Sequence, residues 1–266
     1  MKLTGLYRYP VKSLRGEELT RMIVSVRGAD RDRHWMVVNE EGRFLTQREL
    51  PHMVLIRPTV LNGGLKLSAP GMPELEVAPE SGERLEVRVW NDRCLARVMS
   101  DDADHWLSRF LGVPCRLVYL PDEEHRVVDP GYGQPQDEVG FTDGFPFLLI
   151  SQASLDDLNR RMGKALPMER FRPNLVVEGC EPYAEDRWKR IRIGDLSFRV
   201  VKPCSRCVIP TVNPDTGERE GNEPLKTLMT YRKQGNQVFF GQNLIHDGEG
   251  ELEVGMPVEV IEYQSW

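Results

Sequence analysis

Short apolar stretches with a period of two, punctuated by glycine and proline, constrain this chain to a β-rich fold. Among 266 residues there are 23 Gly and 19 Pro, so few stretches run long enough for an extended helix. Residues 3–9 read as a strand ended by Pro10, and residues 19–26 as a second. Met36-Val37-Val38 faces Phe44-Leu45 across Asn39-Glu40-Glu41-Gly42, a hairpin pattern. Residues 53–60 and Leu65-Lys66-Leu67 flank Asn62-Gly63-Gly64, and Leu85, Val87 and Val89 alternate with Glu86 and Arg88 before a turn at Asn91-Asp92. Strands this short, with one apolar face each, bury that face by closing into a barrel or stacking into a sandwich.

Helical patterning is local. Ser100 caps a helix whose first turn carries Asp101, Asp102 and Asp104, with Ala103, Trp106, Leu107, Phe110 and Leu111 on one face and Gly112 at its end. Cys115 then opens a strand as a core residue. Residues 122–140 lack any periodicity, and a run of that length inside a compact chain is functional or disordered. We place a domain boundary at its start and the mouth of a binding site along it. The apolar run 147–150 leads to a helix over 154–162 with Gly163 beyond. A strand over 175–177 follows, then Cys180 as an inert residue and an acidic, exposed segment over 181–187. Trp188, Ile191 and Ile193 begin a hairpin across Gly194-Asp195 whose second strand holds Leu196, Phe198 and Val200. Residues 224–232 read as a short helix capped by Asn222, with Leu225, Leu228 and Met229 inward. Residues 239–243 read as a tight loop, and residues 252–263 as a closing hairpin, with Trp266 directly after its last strand.

The chain carries 35 Lys and Arg against 41 Asp and Glu, a net charge of −6, which excludes a broad nucleic-acid surface. Any anionic ligand must therefore be met by a local concentration of cations. Five cysteines do not make a disulfide scaffold at this length, and they point to a reducing compartment, the cytoplasm. Lys2, Thr4, Arg8 and Lys12 interrupt any leader-like apolar run, and no window approaches the length of a membrane span.

Two of the cysteines stand together in Lys202-Pro203-Cys204-Ser205-Arg206-Cys207, leaving a strand and preceding the turn Asn213-Pro214-Asp215-Thr216-Gly217. Structural zinc needs four ligands, and Cys94, Cys115 and Cys180 are isolated. A thioredoxin-type pair opens a helix, whereas Pro203 precedes this pair and β-branched residues follow it. A single thiolate ligand for a soft metal centre is a third reading, with Arg206 lowering a thiol pKa and neutralising an anionic cofactor. Two buried, inert cysteines are the fourth. Lys12-Ser13 lies in a basic loop and Asp143 in Thr142-Asp143-Gly144-Phe145-Pro146. That carboxylate can relay protons, hold an amine-like substrate, or cap a turn. In Arg170-Phe171-Arg172-Pro173-Asn174, an arginine before a proline at a strand edge favours a binding role, because proline interrupts sheet pairing.

Pro203-Cys204-Ser205-Arg206-Cys207, followed by Thr211-Val212-Asn213-Pro214-Asp215-Thr216-Gly217, Glu223-Pro224-Leu225 and Phe240-Gly241-Gln242-Asn243, resembles the MOSC domain, named for the C-terminal part of molybdenum cofactor sulfurases. Tyr9-Pro10-Val11-Lys12-Ser13 resembles the β-barrel domain that precedes MOSC in the branch holding the bacterial YcbX proteins and the mitochondrial amidoxime-reducing components. The resemblance implies a mostly β (α+β) protein. An N-terminal MOSC β-barrel-like domain spans residues 1–121, and a MOSC β-barrel with a few short helices spans residues 122–266.

The resemblance also implies the molybdenum cofactor, Mo-molybdopterin, in a cleft between the two parts. Cys207 is then the metal ligand, and Lys12, Ser13, Arg33, Arg172, Asn174, Ser205, Arg206 and Asn243 are cofactor contacts. Asp143 lies near the metal and assists proton delivery. Gly144 and Phe145 stand where small hydroxylated residues are usual, so contacts there must come from backbone amides. His34 replaces an apolar residue and reads as a barrel-edge histidine. The implied activity is reduction of N-hydroxylated compounds (amidoximes, hydroxylamines and N-hydroxylated bases), with the oxygen leaving as water. Pyridoxal phosphate binding is a further property attached to the family. The sequence has neither a Cys-x₄-Cys-x₂-Cys run nor a Gly-x-Gly-x-x-Gly after a strand. Electrons are therefore expected from a separate ferredoxin or flavodoxin-type reductase. Two other classes stay open, a sulfur carrier using a Cys207 persulfide and a cofactor-binding carrier.

Overall fold

The computed structural model describes residues 1–79 and 82–264; the reading of Trp266 lies outside them. The alternation seen in the sequence becomes a predominantly β architecture. Its largest sheet runs, in spatial order, Val258–Tyr263, Trp188–Ile193, Leu196–Ser205, Gln237–Asp247, Phe147–Ser151, Leu175–Glu178, Lys2–Arg8 and Glu17–Leu19. Lys2–Arg8 pairs antiparallel with Leu175–Glu178, and Arg21–Ser25 pairs with Gly250–Glu253. The first thirty residues are thus woven into the sheets of the second half. A four-stranded sheet of Trp35–Val38, Arg116–Tyr119, Asp92–Val98 and Arg84–Val89, and a three-stranded one of Arg57–Leu61, Gly64–Ser68 and Leu75–Val77, complete the first half.

Each sheet buries one face. Leu3, Leu6, Phe147, Ile191, Phe198 and Leu244 meet inside the large sheet. Val37, Trp35, Leu65, Leu67 and Leu117 meet Ala103 and Leu107 of the helix Asp101–Leu111. That helix forms as its caps dictate. The Ser100 side chain accepts from the Ala103 N–H, and Gly112 ends it in the left-handed region. Gln152–Met162 is built the same way between Ser151 and Gly163.

Several local expectations fail for identifiable reasons. Residues 53–60 are not one strand. Pro51 starts a 3-10 turn, Pro51–Leu55, and the strand begins at Arg57, because proline lacks an N–H for a ladder but suits the first turn of a helix. Residues 239–243 are not a loop but the middle of Gln237–Asp247. Gly241 keeps that strand continuous through a kink, at φ +82°, where a Cβ would stand 2.7 Å from Ile150 Cγ1. Residues 252–263 do not pair with each other. Gly250–Glu253 joins Arg21–Ser25, whereas Val258–Tyr263 joins Trp188–Ile193. The short helix is Leu225–Met229, and Glu223, not the Asn222 side chain, reaches the Thr227 N–H. Met229 faces outward. In the acidic segment Glu185 is buried, accepting from the Ser151 N–H and from the Ser151 and Ser154 hydroxyls. His34 is buried too, against the Trp35 and Tyr119 rings, and burial followed by Arg27 pushes its pKa down to about 3.

The run 122–140 has no named helix or strand, but it is internally organised. Val128 N–H donates to Asp137 O and Val139 N–H to Arg126 O. Arg27 anchors its start. The buried guanidinium donates to the carbonyls of Leu120, Pro121, Asp122 and Glu124 at 2.7–3.2 Å. Removing a donor that satisfies buried carbonyls costs about 1–3 kcal/mol. Arg27→Met should therefore lower the unfolding free energy by about 3 kcal/mol in urea titrations and speed proteolysis within 122–140. Unchanged stability and cleavage would show that the clamp is incidental.

Candidate active site

Between the two halves lies a cleft of about 1560 Å³. Its wall carries nine cationic side chains (Lys12, Arg33, Arg48, Arg126, Arg172, Lys202, Arg206, Arg219 and Lys226) against three carboxylates, Asp92, Asp129 and Asp143. In a chain of net charge −6 this is a strong local inversion, and it suits an anionic ligand.

The backbone singles out the same place. Seven non-glycine residues among those described take positive φ, and four of them, Ser13, Arg33, Trp90 and Arg172, line the cleft. Side chains other than Asn and Asp reach this region at a cost, and such positions gather at functional sites. Arg172 is not on a strand edge. It ends the 3-10 turn Met168–Phe171 in the left-handed conformation, before Pro173. The guanidiniums of Arg33 and Arg172 both lie over the Tyr9 ring, each 4.2 Å from its centroid. Arg172 Nη1 donates to Leu14 O at 2.7 Å. Burial, then Arg33, pull its pKa down to about 10, so it remains a cation. Arg33 Nη1 bonds Asp32 and reaches Asn174 Oδ1 at 3.2 Å. Asn174 is held by the protein, since Oδ1 also accepts from Leu148 N–H and one Nδ2–H donates to Tyr7 O. It orients Arg33.

Lys12 and Asp143 form an ion pair. The buried Lys12 ammonium also donates to Phe141 O at 2.7 Å. Burial lowers the Lys12 pKa to about 8 against the opposing pull of Asp143, and Arg126 and Arg33 lower it further. Desolvation by the cleft walls would raise the Asp143 pKa, yet the side chain is 61% exposed, and Lys12, Arg48 and the Trp90 Nε1–H outweigh that effect and hold the carboxyl well below the usual range. Trp90 Nε1 donates to Asp143 Oδ1 at 3.2 Å. Arg126 fixes the backbone on either side of Phe141, donating to Gly140 O and Thr142 O at 2.6 and 2.7 Å, while its Nε bonds Asp92.

The two thiols have different surroundings. Arg206 turns toward the first, its Nη1 3.1 Å from Cys204 Sγ and its Nη2 donating to Phe171 O at 2.6 Å. Cys207 lies beyond the end of Leu196–Ser205 and is exposed to the cleft. The cation near it is Arg48, with Nη1 3.8 Å from Cys207 Sγ and the guanidinium 4.6 Å over the Trp90 ring. Ser13, Ser205 and Asn243 also line the cleft, and Asn243 Nδ2 donates to Lys202 O.

Arg48, Trp90 and Arg126 were not distinguishable in the sequence. Arg48 sits in an ordinary charged run, and Arg126 sits in the aperiodic one. Trp90 left a faint signal, an indole at a hairpin turn where the alternation had already ended.

The cleft fits the implied cofactor in kind. Its cations match a phosphate, the buried Thr142 Oγ1 on its wall lacks a protein partner, and Cys207 offers a soft donor. Among the described residues no group of three or more His, Cys, Asp or Glu is disposed to hold a metal ion. A metal here would need further donors from its own organic ligand, as a dithiolene provides.

Comparison with known proteins agrees with the resemblance read from the motifs. The MOSC N-terminal beta barrel domain matches residues 1–114, and the MOSC domain matches residues 136–259. Mitochondrial amidoxime-reducing component 1 of Homo sapiens is 36% identical over 277 residues, covering 96% of this chain and 82% of that protein. The Danio rerio protein of the same name is 38% identical over 278 residues, covering 98% and 85%. Mitochondrial amidoxime reducing component 2 of Rattus norvegicus is 38% identical over 278 residues, covering 96% and 82%.

The depressed Lys12 pKa has a measurable signature in cofactor-free protein. The unfolded chain has the ordinary lysine value, about 10.4. Between about 8 and that value the unfolded state holds a proton that the folded state has lost, so stability rises with pH across this window. The difference in unfolding free energy between wild type and Lys12→Met should grow by on the order of 1–3 kcal/mol from pH 8 to pH 10.5. A flat difference would place Lys12 in a site as wet as the surface.

Proposed function

The chain belongs to the MOSC family, in the branch with an N-terminal MOSC β-barrel domain that includes the mitochondrial amidoxime-reducing components. On that premise we propose that it reduces N-hydroxylated compounds (amidoximes, hydroxylamines and N-hydroxylated bases) with a molybdenum cofactor and electrons from a separate protein. The observation that carries this reading is an exposed thiol, Cys207, in a cleft lined by nine cations and three carboxylates.

Cys207 would hold the metal. Arg172 and Arg33 would meet the phosphate through charge-assisted hydrogen bonds, with Lys12 adding to the positive field around it, and Ser13, Ser205 and Asn243 would donate to the pterin. Arg206 and Asn174 would serve as supports, since their bonds go mainly to the protein. When bound, the molybdenum cofactor supplies the two-electron reduction that breaks the N–O bond. The balance is R–NH–OH + 2e⁻ + 2H⁺ → R–NH₂ + H₂O. Asp143, ionised at neutral pH, would accept a hydrogen bond from the substrate N–H or O–H and orient it. Lys12, with a pKa of about 8, would be the proton reservoir behind it, because an acid titrating near the working pH both gives and regains its proton. Trp90 and Arg126 would keep the carboxylate in place. The 122–140 loop, through Val127–Pro130 on the cleft wall, would form the mouth. Among the described residues no helix is long and apolar enough to cross a membrane. Five cysteines without disulfides fit a reducing compartment, and the cytoplasm is our reading.

The test is metal analysis of protein from a molybdate-supplied host, followed by amidoxime reduction with reduced viologen as donor. We expect bound molybdenum and turnover. Cys207→Ala should abolish both, and Cys204→Ala should retain most of both. The reverse pattern would exchange the two cysteines. NADH alone should not support turnover, and a ferredoxin or flavodoxin-type reductase should restore it. Cyanide-labile sulfur without molybdenum would instead favour a sulfur carrier, and metal without turnover a cofactor carrier.

Asp143→Asn keeps the shape of the side chain and removes its charge. Molybdenum content should stay normal while turnover falls at least about tenfold. Loss of the metal would move Asp143 from substrate to cofactor support.

A further inference from the structure

Asp143 stands close to aromatic rings at the margins of the buried core. The Trp90 indole donates to its carboxylate at 3.2 Å yet is 47% exposed. Phe145, two residues on, lines the same cleft, and Tyr132 of the 122–140 loop braces it edge to face at 5.6 Å. Lys202 Nζ lies 4.4 Å over the Tyr132 ring and holds that brace. Gly144, between Asp143 and Phe145, carries no side chain, and apart from those two neighbours no described residue has a heavy atom within 4 Å of where its Cβ would be. Space is open beside Asp143 at Gly144, and the Trp90, Phe145 and Tyr132 rings are near it in the fold.

Trp90 is an unusual residue for its backbone. It takes φ +57°, a conformation that Asn and Gly accept readily and bulky side chains do not. Asn91 stands next to it, so a one-residue shift would relieve the turn. Besides its bond to Asp143, the indole meets the Phe44 edge at 5.2 Å and the Arg48 guanidinium. A strained, half-exposed indole pinned to a site carboxylate is a surface prepared for a ligand.

We propose that Trp90, with Phe145 braced by Tyr132, is the specificity-determining element of the cleft. It selects N-hydroxylated compounds that carry a planar ring next to the N-hydroxylated group over ring-less compounds with the same group. This rests on the reductase reading given above. The functional group lies at Asp143, and the ring packs on the indole, offset or edge-on as aromatic pairs prefer.

The test is equilibrium binding by calorimetry to holoprotein without an electron donor, so that nothing turns over. The probes are an aryl amidoxime (benzamidoxime) and an alkyl one (acetamidoxime). Both present the same group to Asp143, so loss of the Trp90–Asp143 bond cancels in the ratio of their affinities. Wild type should bind the aryl compound about tenfold tighter or more, the scale of one ring contact with its buried area. Trp90→Ala should bring the two within about threefold, and Trp90→Phe should keep most of the preference. Trp90→Gly, which relieves the left-handed turn, replaces the alanine variant if that one fails to fold. An aryl preference unchanged by removing the indole overturns the role of Trp90 and leaves the reductase reading standing. Binding of neither amidoxime to wild type overturns both.

Discussion

Buried cations solvated by backbone carbonyls are the interaction on which the rest of this structure depends. Arg27 donates to four carbonyls at the start of the 122–140 loop. Arg126 binds two beside Asp143, and Lys12 binds Phe141 O. Arg172 binds Leu14 O and Arg206 binds Phe171 O. A carbonyl dipole satisfies a guanidinium or ammonium without cancelling its charge. Lys12, Arg126, Arg172 and Arg206 can therefore order the walls of one cleft and still leave it positive, because only Lys12 and Arg126 among these four also pair with a carboxylate there, Asp143 and Asp92. An acidic protein can hold an anion this way without a basic surface.

The same arrangement divides labour between Lys12 and Asp143. Read from residue types alone, the aspartate looks like the proton carrier. With Lys12, Arg48 and Trp90 around it, its carboxyl is held too acidic to exchange protons near neutrality. Burial instead brings the lysine into the working range. On the reading proposed above, the carboxylate would serve as a fixed acceptor and the lysine as the titrating member of the pair.

What the sequence made legible follows the range of the interactions involved. Strand alternation and helix caps are local, so the Ser100 and Gly112 caps and the hairpin leading to Cys204 could be read directly. The failures are non-local or hinge on one residue. Pro51 converts a strand start into a 3-10 turn. Glu185 looks solvated but is buried by the Ser151 and Ser154 donors. The strand through Gly241 survives a positive φ that reads as a loop. In the site, Cys207, Lys12, Arg33 and Arg172 do converge on one cleft. The arginine between the cysteines, however, faces Cys204, and the one near Cys207 comes from position 48. Sequence adjacency left open which thiol Arg206 serves, because successive side chains at a strand end turn to different sides.

The geometry also separates what must be rigid from what can vary. Arg126 joins three segments at once: the tip of the Arg84–Val89/Asp92–Val98 hairpin through Asp92, and the backbone at residues 140 and 142. Asp143 is held from two directions by that frame, by Lys12 from the first half of the chain and by its own anchored backbone. Trp90, Phe145 and Tyr132 are attached to the frame but do not belong to its buried clusters of core residues, or pack only at their margins. Changing one of these rings alters the wall of the cleft while the carbonyl-bound cations stay in place. On the readings proposed above, the charge that would receive an anion and the rings that would discriminate among substrates sit on different residues, which meet where Trp90 bonds Asp143 and stacks on Arg48.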